Sequence, residues 1–359
     1  MSQTLFTPLH KNGADFKSRI VMAPMTRCRA LGNVPNDLIA EYYGQRATAG
    51  LIVTEGTSPS PNGLGYARIP GIFNEAQVEG WKKTTDAVHQ KGGKIFLQIM
   101  HTGRVAHSAN LPAGARILAP SAVIAEGDMW TDTKGMQKHD MPEAMTAEEV
   151  QTTIQEYVQA AKNAIAAGLD GVEIHSANGY LPNQFLNPTS NLRTDEYGGS
   201  IENRSRFVLE ITQGIADAIG KDKTGIRFSP YNPYNGMGPD PDTFATFDYL
   251  SKELDKMGIL YIHLLDYASR LSEEGLNLIA KIRENFSGIY ILNAGYTKER
   301  AAYGLDTEKA DMIAFGSLFI SNPDLPFRLE NDKELAKPDA ATFYMADAVG
   351  YTDYPAYAG

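Results

Sequence analysis

The chain has 359 residues, with 43% hydrophobic and 21% charged side chains and a formal net charge of -10. This balance allows a large soluble core and excludes a disordered chain, and the acidic surplus without any Lys/Arg run excludes a nucleic-acid-binding surface. The single cysteine, Cys28, excludes an intramolecular disulfide and a cysteine-ligated iron–sulfur cluster, and reads as a small buried apolar residue.

Leu5 to Ile20 holds Pro8 and the pair Asn12-Gly13 between short apolar pieces, which predicts a hairpin or plug ahead of the main fold. Ile20–Met25 is the first strand, ended by Pro24. Asn36 caps a helix that carries Leu38, Ile39, Tyr42 and Tyr43 and stops near Gly50. Leu51–Ser58 is the second strand, followed by a Gly/Pro/Ser-rich loop. Asn74 opens a helix with Val78, Trp81 and Val88 inward, and Lys94–Met100 is the third strand. His101 to Met145 has no sustained period. Such a long excursion in a compact fold forms a functional lid or a small hairpin.

Thr146-Ala-Glu-Glu149 is a capping box in front of Val150, Ile154, Tyr157, Val158, Ala161 and Ile165 at helical spacing. The fourth strand, GVEIHS, starts at Gly171. A helix over Ile201–Ile219 ends at Gly220, and Thr224–Pro230 is the fifth strand. A helix over Phe247–Met257, the sixth strand Tyr261–Asp266, a helix near Leu276–Asn285 and the seventh strand Gly288–Gly295 follow. A short helix around Lys298–Tyr303 leads to the eighth strand, Ala310–Gly316, and a tail with one more helical piece and many tyrosines. The amino-terminal residues lack the basic start and apolar run of a signal peptide, and no apolar stretch approaches the ~20 residues that cross a bilayer. A cytoplasmic protein with no membrane partner is expected.

Eight near-continuously apolar strands alternating with helices predict a parallel sheet buried on both faces. The expected fold class is α/β: a (β/α)8 TIM barrel with an N-terminal hairpin and a long excursion after strand three. No G-x-G-x-x-G follows any strand, so the doubly wound alternative lacks its dinucleotide fingerprint. In a barrel the chemistry sits where the strands end. Strand one delivers Pro24, Met25 and Thr26; strand two Gly56, where a planar ligand could approach the backbone; strand three Gln98. Strand four delivers His175, Asn178 and Tyr180, two donors and a phenol within six residues. Strand five delivers Arg227, strand seven Asn293 and Gly295, and strand eight Gly316 and Ser317. Loops after strands seven and eight commonly bind phosphate. A phosphate site, an amide and a hydroxyl for a flat heteroaromatic ring, and a buried guanidinium together suit flavin mononucleotide. Blander readings stay open: Arg227 paired with Glu55 or Glu173 inside the barrel, Gln98 an ordinary rim amide, His175 a core histidine. No second His or carboxylate stands at ligand spacing beside His175, so no metal site is expected.

The run His175-Ser-Ala-Asn178-Gly-Tyr180-Leu, then Gln184-Phe-Leu, Asn191-x-Arg193-x-Asp195-x-Tyr197-Gly-Gly-Ser200 and Glu202-Asn-Arg204, resembles the old yellow enzyme family of flavin-dependent ene-reductases. Ala23-Pro-Met-Thr-Arg27, Gln98 with His101-Thr-Gly-Arg104, Phe315-Gly316, the Ser321-Asn-Pro-Asp-Leu run and Gly350-Tyr-Thr-Asp-Tyr354 match as well, so the resemblance spans essentially the whole chain.

The resemblance implies that residues 1–359 form a single FMN-binding TIM-barrel domain. NADPH or NADH would reduce the non-covalently bound FMN and leave. A small-molecule alkene activated by a carbonyl or nitro group would then take its place and receive a hydride from the flavin. It implies that His175 and Asn178 bind the alkene's activating oxygen, that Tyr180 protonates its α-carbon, and that Thr26 hydrogen-bonds the flavin. Pro24, Met25, Gly56, Gln98, His175, Arg227, Asn293, Gly295, Gly316 and Ser317 are the expected cofactor contacts. Tyr66, Met100 and Tyr351, with His175 and Asn178, are the expected substrate contacts. A monomer or homodimer is the expected assembly. Met100 stands where many relatives have Trp, and Ser317 where many have Arg, which removes one charge-assisted fork from the phosphate. Thr26, rather than a Cys, at the flavin-tuning position sets the chain apart from the thermophile-like branch. Nitroester or nitroaromatic reduction in the same pocket is the near alternative. A flavin-free phosphate-binding lyase or isomerase is the distant one.

Overall fold

The computed structural model describes residues 4–238 and 240–357. Eight parallel strands close into a barrel in which each pairs with the next and the eighth with the first. Strands 1 to 8 are Ile20–Met22, Leu51–Val53, Ile95–Ile99, Gly171–Ser176, Thr224–Phe228, Tyr261–Leu265, Ile289–Asn293 and Met312–Phe315. They are shorter than the apolar runs that announce them. The second run breaks after Val53 and pairs again only at Thr57, opposite Ile99. That interruption lets Glu55 and Gly56 leave the regular alternation of the strand.

Every second residue of a strand points inward, and the two sets have separate partners. Ile52, Leu97, Ile174, Ile226, Ile262 and Leu292 join the layer between strands and helices. Val21, Leu51, Phe96, Tyr261, Ile289, Ile291 and Met312 fill the barrel interior near the strand starts. The expected amino-terminal hairpin pairs Leu9–Lys11 with Ala14–Phe16 through Asn12 and Gly13, both at positive φ. Its Leu9 and Phe16 join the interior cluster, so the hairpin plugs that end. Gly225 makes the packing possible: a Cβ there would lie 2.2 Å from the Tyr261 ring. Toward the strand ends the inward residues turn polar: Gln98, Glu173, His175, Arg227, His263 and Asn293. Glu173 pairs in register with Gln98, and Arg227 lies between His175 and His263.

The helices follow their caps. Asn36 and Asn74 accept from Ile39 and Gln77 amides at the starts of Asp37–Gln45 and Glu75–His89. The capping box at Thr146 is present in Ala147–Ala166, and Ile201–Ile219 stands with the expected bounds. The helices expected at Phe247, Leu276 and Lys298 run longer, as Thr243–Met257, Glu273–Asn285 and Lys298–Asp306. Two α-helices have no counterpart in the sequence reading: Leu181–Leu186, a single buried turn and a half directly after Tyr180, and Ser317–Ser321, directly after strand 8. The burial of Leu181–Leu186 on all sides erased the amphipathic period that would reveal it, and Ser317–Ser321 is too short to show one.

The excursion after strand 3 contains an antiparallel hairpin, Asp128–Thr131 with Gly135–Lys138, and a parallel pair of two-residue strands. At the other end of the chain, residues 342–350 are tied to the loop after strand 1 by buried guanidinium groups. Arg29 donates to the carbonyls of Thr342 (2.8 Å) and Val349 (3.0 Å), and Arg27 to those of Phe343 (3.0 Å) and Gly350 (2.7 Å). Among the described residues, no helix is long and apolar enough to cross a membrane.

Candidate active site

The polar ends of the strands open into a cavity of about 820 Å³. Pro24, Thr26, Gln98, His175, Asn178, Tyr180 and Arg227 line it, with Tyr66 from the loop after strand 2. Strands 1, 3, 4 and 5 thus bring together residues as far apart in the chain as Pro24 and Arg227, as their register dictates.

Below the cavity floor lies a buried carboxylate. Glu173 accepts from the Gln98 amide (2.8 Å), the Tyr261 hydroxyl (3.1 Å) and His263 Nδ1 (2.8 Å). Burial opposes its charge, but His263, Arg227 and Gln98 outweigh burial and hold it below the usual carboxylate range. His263 is lowered by burial and stays neutral, donating through Nδ1. Glu173 therefore fixes Gln98 by one of its two amide N–H groups. The other, and the Gln98 carbonyl, remain for a ring carrying both acceptors and donors.

Arg227 makes no direct ion pair with Glu55 or Glu173. Its Nη2 donates to Asn293 Oδ1 at 2.7 Å, and its buried Nε has no partner in the protein. His175 is buried, and its Nδ1 also lacks a partner. Burial, then the nearby Arg227 and His263, push the imidazole well below its usual pKa, so it is neutral. Two orphaned polar atoms at the edge of one cavity are costly unless a ligand satisfies them. A guanidinium, a neutral imidazole, the free face of Gln98 and the Thr26 hydroxyl fit the polar edge of an FMN ring system.

Asn178 has the most elaborate support. Its backbone is left-handed, with φ of 56°, a conformation Asn tolerates better than most residues. The loop after strand 5 holds it there: Ser229 Oγ accepts from its amide (2.8 Å), and Asn235 Nδ2 donates to its carbonyl (2.8 Å). Asn232 Nδ2 donates to Asn178 Oδ1 at 2.8 Å, which sets the side-chain orientation and leaves its NH2 as a donor into the cavity. Gly179 follows because a Cβ there would sit 2.7 Å from Asn235. Tyr180 then places its ring edge-on to His175, 4.8 Å between centroids, with its hydroxyl 3.1 Å from that of Tyr66. Burial, and then Tyr66, raise the Tyr180 phenol well above its usual pKa.

The rest of the signature run is scaffold. Gln184 donates to the Thr102 and Gly179 carbonyls, and Asn191 to those of Phe185 and Tyr197. Arg204 ties Leu186 to Asp242. These bonds brace the loop that carries Asn178 and Tyr180.

Several expected contacts lie elsewhere. Tyr351 is 0% exposed, stacked on Tyr42 with ring centroids 4.0 Å apart and covered by Arg27 and Arg29. The guanidinium clamp on residues 342–350 draws it into the core, and Tyr344 and Met345 of the same segment line the cavity instead. Met100 is buried behind the cavity wall with Leu64, Ile69 and Met129. Gly56 serves that packing rather than a ligand: a Cβ there would lie 2.4 Å from Met100 Sδ. Met25, Asn293, Gly295, Gly316 and Ser317 stand at the ends of strands 1, 7 and 8 outside the cavity lining, with Asn293 reaching it through Arg227.

The sequence reading missed Arg68, Met129, Trp130, Met136, Tyr234, Tyr344 and Met345, all of which line the cavity. Cys28 lines it too, but burial pushes its thiol up to about 12, which leaves it unreactive.

Beside Cys28, Glu55 accepts from the Arg27 amide at 3.1 Å while its Oε1 has no partner. Burial raises it to about 7 from a starting value of 4.5, against the pull of Arg27 and Arg29. A raised carboxyl binds its proton more tightly in the folded chain. It costs no stability below pH 4.5, and stability falls as pH climbs to about 7. The shift corresponds to roughly 3 kcal/mol at most. Glu55→Gln is therefore expected to leave the denaturation midpoint near wild type at pH 5 and to raise it at pH 8. Equal midpoint shifts at both pH values would contradict the buried, protonated carboxyl.

The chain matches the NADH:flavin oxidoreductase / NADH oxidase family over residues 4–336. It is 43% identical to a chanoclavine-I aldehyde reductase of Penicillium roqueforti (strain FM164), over 98% of this chain and 95% of that one. It is 41% identical to 12-oxophytodienoate reductase 1 of Oryza sativa subsp. japonica, over 98% and 92%. The solved structure of morphinone reductase in complex with tetrahydroNAD superposes with a TM-score of 0.94 at 43% identity, covering 99% of this chain and 98% of that one. The barrel, its polar rim and these likenesses agree, and the chain belongs to the NADH:flavin oxidoreductase / NADH oxidase family, the old yellow enzymes.

Proposed function

We propose that this protein is a cytoplasmic, FMN-dependent, NAD(P)H-oxidising reductase of alkenes conjugated to a carbonyl or nitro group, built as one barrel domain and working as a monomer or homodimer. The observation that carries this reading is the placement of two neutral donors, His175 and Asn178, beside a protonated phenol, Tyr180, in one cavity. When bound, FMN supplies the redox chemistry, accepting reducing equivalents from NAD(P)H and passing them to the alkene's β-carbon. Gln98, Thr26 and Arg227 would hold the ring system, with Pro24 against it. The phosphate would lie toward Gly295, Gly316 and Ser317.

His175 and Asn178 donate to the activating oxygen of the alkene. Both are uncharged, so they bind the carbonyl modestly and strengthen as negative charge builds on that oxygen. Arg227, 2.7 Å from Asn293 and permanently cationic, adds a favourable field for that charge. Tyr180 gives its proton to the α-carbon. With one cavity for coenzyme and alkene, the two bind in turn. The solved complex of a relative, morphinone reductase, with tetrahydroNAD supports a nicotinamide as reductant. Among the described residues no lysine lines the cavity, so the Schiff-base chemistry of a flavin-free lyase has no nucleophile there.

The purified protein is expected to be yellow and to release free FMN on heating or acidification. Stopped-flow mixing with NADH or NADPH should bleach it, and an enone should restore the colour. A colourless protein that takes up no added FMN would refute the reading.

A further inference from the structure

The mouth of the cavity is an apolar collar assembled from two distant segments. Trp130 and Met136, register partners across the Asp128–Lys138 hairpin, are 51% and 57% exposed. Tyr344, 61% exposed, and Met345 come from the carboxy-terminal segment, and all four line the cavity. Exposed aromatic and thioether groups gathered around an opening are rare unless something apolar is meant to bind them.

One side chain joins these segments. Arg68, itself in a left-handed conformation with φ of 56°, spends its donors in three directions. Nε donates to the Cys28 carbonyl at 3.0 Å, Nη2 to the Tyr344 carbonyl at 2.9 Å, and Nη1 pairs with Asp132 of the hairpin. The same Asp132 oxygen accepts from the Trp130 indole N–H at 3.0 Å. The guanidinium is mostly covered, its side chain 14% exposed, so this node is worth more than a loose surface pair. Charge at the rim is compensated: Arg68 by Asp132, and Asp128 by Lys138.

We propose that Arg68 and Asp132 are positioning residues for substrate selection. By holding hairpin and tail together they keep the collar formed, and the collar favours activated alkenes that carry a large apolar or aromatic substituent. This rests on the ene-reductase reading: the reacting bond sits at His175, Asn178 and Tyr180, and the substituent extends outward between Trp130 and Tyr344. A charged substituent gains little there, because Arg68, the cation that lines the collar, is already paired with Asp132.

Asp132→Ala removes the two links that tie the hairpin to the node, to Arg68 and to the Trp130 indole, and leaves Arg68 on the Cys28 and Tyr344 carbonyls. The hairpin still folds, since Asn110 Nδ2 holds the Trp130 carbonyl at 2.9 Å and Met129 stays in its buried cluster. The test uses dithionite-reduced holoenzyme, which takes the coenzyme out of the measurement, and a cyclic enone with and without an aryl substituent. In Asp132→Ala the apparent Kd of the aryl enone is expected to rise about tenfold. Its limiting reoxidation rate should hold, and the unsubstituted enone should change less than twofold. Asp132→Asn, which keeps an acceptor for Trp130, should fall between. Trp81 is fully buried, so changes in emission report Trp130. Titrating oxidised wild type with the aryl enone should shift that emission, and Asp132→Ala should weaken the titration by the same factor. Equal effects on both enones, or none, would overturn the proposal. Wild type that binds the aryl enone but is reoxidised by neither would overturn the ene-reductase reading instead, while the emission titration still decides the collar.

Discussion

Tyr180→Phe is expected to slow reoxidation of the reduced enzyme by an enone by about 10²–10⁴-fold, the usual worth of a positioned general acid. Flavin reduction by NAD(P)H should stay near wild type, because that half-reaction needs no proton from this site. The substitution removes one oxygen and leaves the ring edge against His175 in place, so the cavity keeps its shape. His175 is neutral and has no acidic proton of its own to give near neutral pH, and the Tyr66 phenol stands behind that of Tyr180, 3.1 Å from it. The wild-type pH profile of reoxidation follows from the same shifts. A Tyr180 raised well above its usual value stays protonated through pH 9, and a His175 lowered well below its own adds no inflection near 6.5. The rate should be flat from pH 6 to 9. Equal losses in both half-reactions of the Phe variant would contradict the assignment of Tyr180 as proton donor.

Asn178→Asp tests the second group with little change of shape. Asp tolerates the left-handed backbone at this position, and its carboxylate still accepts from Asn232 Nδ2. Only the cavity-facing donor is lost, replaced by an acceptor with negative charge. Removing one donor from a site that stabilises a developing oxyanion costs about 10²–10³-fold, and like charge at the same place adds to that. Alkene reduction should therefore fall by at least 10²-fold while the protein stays folded and retains its flavin. An Asp variant that reduces enones at the wild-type rate would show that Asn178 does not touch the activating oxygen.

Much of the barrel was legible in the chain because its strands are buried on both faces, which leaves uninterrupted apolar runs, and because helices start at Asn36, Asn74 and Thr146 with local caps. The His175–Asn178–Tyr180 group was legible because all three follow one strand end. What held them was not. Asn232 and Asn235 lie 54 and 57 residues beyond Asn178 and reach it only because strands 4 and 5 are neighbours. The collar was invisible for the same reason: Trp130 and Tyr344 meet the cavity through Arg68, with no local period to announce it. Tyr351 was misplaced because two guanidiniums from the loop after strand 1 cover it, and a tyrosine-rich tail does not say which ring turns inward.

That clamp also sets an order of assembly. Arg29 is made 313 residues before the Thr342 carbonyl it binds. At about 5–20 residues per second, a ribosome needs roughly 15–60 s to supply that acceptor. Until then Arg27 and Arg29 stay in water, the loop after strand 1 has no lid, and the segment bearing Tyr344 and Met345 is absent. Strand 8, which closes the barrel on strand 1, ends at Phe315, and Tyr344 follows 29 residues later. The polar end of the barrel is therefore complete in the chain before the segment that narrows its mouth.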